Sequence, residues 1–231
     1  MKFYHILNRG VDKRKVFLSR GDYIRFVHDL WKFNDTQRTD TNFSRQLLHL
    51  SSAPLQMKDV RRPSFDERSG EGLVKVHFFC LMPNHYHLLL SPVVENGISL
   101  FIKKLNGGYS KYFNEKYERV GALWQGKYKS VPIETDRHFL YIPYYIHFNP
   151  LDMHAPEWRK QRVASPKKAE AFLKNYRWSS HLDYAGEKNF PSVTDRKFFL
   201  EYFGGEKGYA RSVSKMLKDF SVDDVAGIAL E

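Results

Sequence analysis

The chain has 231 residues, of which 42% are hydrophobic and 16% aromatic, and this is enough for one packed domain or for a domain with an appendage. The same composition excludes a globally disordered chain. The formal net charge of +11 favours a polyanionic partner. Nucleic acid is the first candidate, although many basic surfaces bind no polyanion.

Cysteine content and hydropathy bear on the cellular compartment. Cys80 is the only cysteine, so a disulfide framework is excluded. The N-terminal segment lacks the apolar stretch of a signal peptide. No window approaches the roughly 18 apolar residues of a membrane span. The sequence therefore predicts a cytoplasmic protein without a membrane partner.

The first predicted elements are a short strand and a helix. Residues 2–8 (KFYHILN) predict the strand, and a basic turn follows it. Ser19 or Asp22 can cap the helix. From about residue 36 to residue 72 the sequence is polar, which is typical of an insertion or a mobile loop. The helix itself is predicted from apolar positions at helical spacing, namely Ile24, Val27, Leu30 and Trp31.

Two strands and a long helix are predicted after the polar stretch. Residues 73–82 predict a strand, and the sequence after Pro83 and Asn84 continues either as a second antiparallel strand or as one bulged strand. An amphipathic helix follows near 97–118, and it contains two adjacent glycines. Because each glycine costs a helix roughly 1 kcal/mol relative to alanine, a close approach of another segment is expected there.

The last part of the chain predicts a strand, a helix and a charged appendage. Residues 123–133 predict the strand. The helix begins at Thr135 or Asp136 and ends where Asn149 meets Pro150. Beyond it, the sequence is a charged connector that closes with a basic helix near 206–219.

This order of elements predicts an α+β fold. Strand, helix, two strands, helix and strand fit a ferredoxin-like sandwich, with an antiparallel sheet, helices mainly on one face, and a small helical C-terminal extension. We expect a catalytic domain at 1–152 with an insertion at about 36–72, and a C-terminal extension at 153–231.

Two histidines one residue apart are the first candidate for chemistry. On a strand, His85 and His87 point to the same face, and Tyr86 points to the other. Two neighbouring imidazoles can hold one metal ion. An isolated pair of this kind is more often two strand histidines that bond to the backbone, so the hypothesis needs further residues.

The last predicted helix offers a nucleophile and a third ligand. Tyr141, Tyr145 and Asn149 are spaced by four residues, so they line one helix face. Tyr145 and Asn149 could present a phenolic and an amide oxygen to the same metal site. Tyr109 is the rival nucleophile, but it lies in an apolar stripe and is predicted to be core. Tyrosines that merely cover apolar surface are the alternative for this face.

Three basic clusters are candidates for contacts with DNA. One follows the first strand, one lies on the amphipathic helix, and one is on the last strand. The residues predicted to bind DNA are Arg9, Lys103, Lys104, Lys127 and Lys129.

Four ordered motifs together resemble a known family. The blocks LMPNHYHLLLSP, GALWQGKYKS, YYIHFNP and YRWSSHLDY are similar to those of single-tyrosine HUH transposases, with REP-associated tyrosine transposases as the most similar branch. The resemblance implies that His85, His87 and Asn149 are metal ligands and that Tyr145 is the nucleophile. It also implies cleavage of single-stranded DNA next to a hairpin, through a 5′-phosphotyrosine intermediate.

The expected donor set and two alternatives complete the prediction. Two imidazoles and one amide leave positions open for water and phosphate, which suits Mg²⁺ or Mn²⁺. A zinc hydrolase would instead use His85, His87 and a third imidazole. A non-catalytic nucleic-acid-binding module would keep only the fold. Monomer and homodimer both remain compatible with the sequence.

Overall fold

The structure, a computed structural model, describes residues 1–36, 71–160 and 162–219. The predicted insertion at about 36–72 therefore lies almost wholly outside the described residues. Within these ranges, no helix is both long enough and apolar enough to span a bilayer.

A four-stranded antiparallel sheet forms the centre of the fold. Its strands are β1 (Tyr4–Arg9), β2 (Val74–Met82), β3 (His85–Pro92) and β4 (Lys129–Pro132). They lie in the order β2-β3-β1-β4, and every neighbouring pair is antiparallel. This order with two crossover helices is the ferredoxin-like arrangement, so the predicted α+β class is confirmed.

The two crossover helices cover the first face of the sheet. They are α1 (Arg20–Lys32) and α2 (Gly97–Lys116). A capping box begins α1, because the Ser19 side chain accepts from the Asp22 amide and Asp22 accepts from the Ser19 amide. In α2 the expected close approach occurs at Gly108, where a Cβ would meet the Phe33 ring at 2.4 Å.

The second face of the sheet is covered as well, by the helix that ends at residue 148 and by the C-terminal helices. The helix α3 (Asp136–Phe148) packs its Ile142 and Ile146 against Phe78 and Leu89 of the sheet. The C-terminal helices join the same cluster because their apolar side chains need burial. These helices are α4 (Pro166–Asn175), α5 (His181–Tyr184), α6 (Lys197–Phe203) and α7 (Gly205–Lys218).

The C-terminal segment also protects the edge of the sheet. Next to β2, the Leu81 amide donates to the Trp178 carbonyl at 2.9 Å, and the Ser180 amide donates to the Phe79 carbonyl at 3.0 Å. Since an open strand edge would expose unpaired backbone groups, this pairing is a stabilising contact. It ties residues beyond 152 to the sheet, and the domain boundary at 152 stays a prediction.

The predicted last strand was too long. Only four residues, those of β4, pair with β1, whereas the prediction extended over 123–133. Gly126, with φ of +146°, interrupts the extended backbone, and Trp124 makes only an isolated bridge to Gly10.

Candidate active site

The two histidines of β3 share a face, as predicted from their spacing. The ring centroids of His85 and His87 lie 4.9 Å apart, and both side chains are buried. Tyr86 points to the opposite face, where its hydroxyl donates to Asn106 Oδ1 at 2.9 Å. The strand thus presents two imidazoles together on the face that α3 covers.

The orientation of His85 is fixed by the turn that precedes it. Asn84 Nδ2 donates to the Lys13 carbonyl at 3.2 Å, which directs Asn84 Oδ1 towards His85 Nδ1 at 2.6 Å. Because an amide oxygen only accepts, His85 Nδ1 carries the proton. In the neutral imidazole, Nε2 then keeps its lone pair, which is the state that a metal ligand requires.

His5 on β1 supports His87, and the sequence did not predict this role. His5 Nε2 and His87 Nδ1 lie 2.9 Å apart, and their rings stack. Burial and, to a smaller extent, the nearby His138 lower the pKa of His5 to about 3. Burial is the main cause that lowers the pKa of His87 well below its usual value, and the neighbouring His85 and His5 lower it as well. Both imidazoles are therefore neutral at pH 7.

Tyr145 of α3 lies against this pair of imidazoles. Its ring centroid is 5.6 Å from that of His5 and 5.6 Å from that of His87, with both rings edge-on. Only 3% of the residue is exposed, and its hydroxyl accepts from Arg159 Nη1 at 3.1 Å. The structure thus brings together the predicted nucleophile and the predicted metal ligands.

Asn149 lies one turn beyond Tyr145 and is fully buried. Its Nδ2 donates to the Tyr145 carbonyl at 2.7 Å, so Oδ1 is directed away from the helix. Arg159 Nη2 donates to that Oδ1 at 2.9 Å. A carbonyl oxygen has two lone pairs, so one remains for a further partner.

Arg159 connects these side chains and was missed by the sequence analysis. Its Nε and Nη2 donate to the two carboxylate oxygens of Asp152, at 2.9 and 2.8 Å. Its guanidinium carbon lies 5.3 Å from the Tyr145 ring centroid, and Trp158 contacts it from the next position. Arg159 lies in a charged connector without periodicity, so no pattern in the sequence distinguishes it from its neighbours.

The rival nucleophile Tyr109 and two further buried histidines lie away from the site. Tyr109 is fully buried on the first face of the sheet and donates to the Val16 carbonyl at 2.6 Å, so its predicted place in the core is confirmed. His77 contacts Ser91 Oγ at 2.8 Å, and His147 contacts Ser180 Oγ at 2.7 Å.

A basic cleft lies beside the two histidines, and Arg9, Lys127 and Lys129 are among the residues that line it. Its volume is about 370 Å³, and Lys13 and Gln125 also line it. Arg9 is the register partner of His85, which places the cleft at the histidine end of the sheet.

The structure does not bring Lys103 and Lys104 to this cleft. Both belong to α2, the helix that covers the opposite face of the sheet from the histidines. Lys104 Nζ donates to the Asp35 carbonyl. A DNA contact by these two lysines stays a prediction, and it would be separate from the cleft.

The described residues contain no group of three or more His, Cys, Asp or Glu side chains suited to a metal ion. A zinc hydrolase with three imidazoles needs such a group. The predicted ligand set contains only two such side chains, His85 and His87, because its third member is the Asn149 amide.

One protein-family model matches the part of the chain that carries the site. The family model described as "Transposase IS200 like" matches residues 56–149. Over these residues, the chain is similar to the IS200-like transposases. The match contains the two histidines of β3 and the Tyr145 and Asn149 pair, and it confirms the resemblance predicted from the motifs.

Two further comparisons add little to the IS200-like transposase family match. One solved structure, described as "Structure of the REP associates tyrosine transposase bound to a REP hairpin", has a TM-score of 0.42 and 13% sequence identity to this chain. The alignment covers 84% of this chain and 87% of that chain. At this level it identifies no function. No curated protein matches the chain.

Proposed function

We propose that this protein is a divalent-metal-dependent endonuclease and strand transferase that cleaves single-stranded DNA next to a hairpin through a 5′-phosphotyrosine intermediate. The observation that carries the proposal is the position of Tyr145, whose ring lies against His5 and His87 and whose hydroxyl is hydrogen-bonded to Arg159. The family match to transposases supports the same activity.

The residues around Tyr145 fit a metal ion such as Mg²⁺ or Mn²⁺. His85 and His87 would hold it through imidazole nitrogens, and Asn149 would add an amide oxygen. The fit rests on the His85 tautomer, because the Asn84 oxygen holds the proton on Nδ1 and leaves Nε2 able to bind. When bound, the ion would polarise the scissile phosphate and orient it.

Tyr145 then supplies the nucleophile. A bond forms between its phenolic oxygen and phosphorus, and the bond between phosphorus and the 3′ oxygen breaks. The phenolic proton passes to solvent, and the leaving 3′ oxygen takes up a proton. Arg159 Nη1 donates to the same phenolic oxygen, so it stabilises the negative charge that this oxygen carries during attack.

The covalent intermediate explains strand transfer. Its phosphodiester to tyrosine retains the energy of the broken bond, so the 3′ hydroxyl of another strand can attack phosphorus and release Tyr145. His5, buried beside His87, fixes the imidazole through the 2.9 Å contact, and we assign it a positioning role.

The basic cleft is the site proposed for the DNA strand. Arg9, Lys127 and Lys129 line it together, and their charges suit the phosphates of a strand that passes His85. The preference for a hairpin derives from the resemblance of the sequence motifs.

The proposal is tested by incubating the purified protein with labelled hairpin DNA that carries a single-stranded tail, with Mg²⁺ or with EDTA. A covalent protein–DNA adduct and a shortened strand should form only with Mg²⁺. A protein that binds this DNA but forms no adduct would instead be the non-catalytic binding module.

A further inference from the structure

A second basic groove lies outside the proposed active site. It has a volume of about 650 Å³, and its lining includes Lys15, Arg20 and Arg177 together with Tyr23 and Trp178. The side chains that line it, as far as the structure describes them, include no carboxylate. The groove therefore concentrates positive charge without an acidic side chain in its lining.

Arg177 is the strongest indication that this groove takes an anion. Its Nε is buried and has no hydrogen-bond partner among the described residues. Burial lowers the pKa of Arg177, and the nearby charge of Arg20 lowers it further. Two guanidinium groups that repel each other would both be stabilised by a phosphate between them.

The aromatic rings of the groove have little free face for a nucleobase. Tyr23 stacks on Phe17 at 4.6 Å and on Trp178 at 4.6 Å between ring centroids. The guanidinium of Arg177 lies 5.1 Å from the Trp178 centroid. Because unpaired bases bind proteins mainly by stacking on aromatic faces, this groove is better suited to phosphates than to bases. Paired DNA presents phosphates outwards and keeps its bases inside.

The groove and the cleft adjoin the same turn. The amides of Val16 and Phe17 donate to the Pro83 carbonyl at 2.8 and 3.1 Å. Asn84, which orients His85, donates to the Lys13 carbonyl. The segment from Lys13 to Phe17 is thus fixed to the turn before β3, with Lys13 in the cleft and Lys15 in the groove.

We propose that the second groove binds the sugar-phosphate backbone of a paired DNA stem while the cleft holds the adjoining unpaired strand. Arg20 and Arg177 are the main phosphate contacts, and Lys15 lies at the side nearest to the cleft. The inference rests on the proposed function, since it extends the DNA site of that activity.

The test compares two double variants that each remove two positive charges. Arg20→Gln with Arg177→Gln alters the groove, and Lys207→Gln with Arg211→Gln alters two exposed residues of α7 that line neither groove nor cleft. Affinity is measured by fluorescence anisotropy between 50 and 200 mM salt, for a DNA stem with a tail and for the tail alone.

We expect the groove variant to lose roughly 10-fold in affinity for the stem with a tail at about 0.1 M salt. The slope of log K against log salt should become shallower by roughly 2, one for each lost phosphate contact. Affinity for the tail alone should not change, and the control variant should match the wild type on both DNAs.

Two results would overturn the inference. An equal loss on the tail alone would mean that the groove binds the unpaired strand, and a loss no larger than that of the control would mean that it binds no DNA. If Arg177→Gln disturbs folding through Trp178, the pair Lys15→Gln and Arg20→Gln, both exposed, gives the same test. Absence of a covalent adduct with the wild type would refute the proposed nuclease but not the stem binding.

Discussion

Single replacements of Tyr145 and Tyr109 by phenylalanine distinguish a tyrosine that is needed for the reaction from one that is needed for stability. Both tyrosines are buried, and the hydroxyl of each takes part in a hydrogen bond. Tyr145 lies with the two histidines, whereas Tyr109 lies in the core on the other face of the sheet. Each substitution removes a single oxygen and keeps the ring.

The structure predicts a small loss of stability for Tyr145→Phe and a larger loss for Tyr109→Phe. Tyr145→Phe removes a hydrogen bond from Arg159, whose side chain is 27% exposed and keeps Asp152 as a partner, so the loss of this hydrogen bond should lower the unfolding free energy by about 1 kcal/mol. Tyr109→Phe leaves the fully buried Val16 carbonyl without its 2.6 Å donor, which costs about 1–3 kcal/mol.

Adduct formation should show the reverse order. Tyr145→Phe lacks the attacking oxygen, so no covalent adduct should form at any DNA concentration. Tyr109→Phe should form the adduct at nearly the wild-type rate at a temperature where it is folded. The assays are denaturing gels for the adduct, mass spectrometry of the digested adduct, and urea denaturation for stability.

One result would refute the assignment directly. If the nucleotide maps to Tyr109, or if Tyr145→Phe still forms the adduct, then the helix-face argument is wrong. Asn149 would then also lose its assignment as a ligand, because that assignment depends on its position one turn from Tyr145.

Three further perturbations follow from the same structure. Replacing both His85 and His87 by alanine should abolish cleavage but leave most of the salt-dependent DNA affinity, because phosphate contacts supply that affinity. Cleavage is measured on the labelled hairpin, and full cleavage by the double variant would exclude the metal assignment. Arg159→Gln should slow adduct formation by roughly 10-fold or more and displace its pH profile to higher pH, since the phenolate loses a charged donor; an unchanged rate and pH profile would leave Arg159 a purely structural residue. Stability should fall as the pH drops from 7 to 5. Burial lowers the pKa values of His77 and His181 in the folded protein to about 4, whereas the same imidazoles titrate near 6.5 in the unfolded chain. In this pH range the unfolded chain therefore takes up protons that the folded protein does not, and unfolding is favoured. The expected loss is about 2 kcal/mol for each imidazole, checked by urea denaturation in EDTA, and equal stability at both pH values would contradict the burial of neutral imidazoles.

Local and periodic features could be predicted from the amino-acid sequence alone. The alternation of a strand was enough to place His85 and His87 on one face, and a spacing of four was enough to align Tyr145 with Asn149. The apolar stripe of α2 was enough to bury Tyr109. Side-chain direction in these elements is set by the backbone geometry of a single segment, so no partner segment is needed to predict it.

Contacts between segments that are distant in the chain could be recognised only in the folded protein. His5 reaches His87 because β1 pairs with β3, and Arg159 reaches Tyr145 because the connector after α3 folds back over that helix. The clusters of Lys103 with Lys104 and of Lys127 with Lys129 have the same composition, yet only the second joins the cleft. Helices cover both faces of the sheet for a similar reason, since burial of the second face depends on distant C-terminal side chains. Such contacts join residues far apart in the chain, and their free energy depends on the packing of the whole fold rather than on any local pattern.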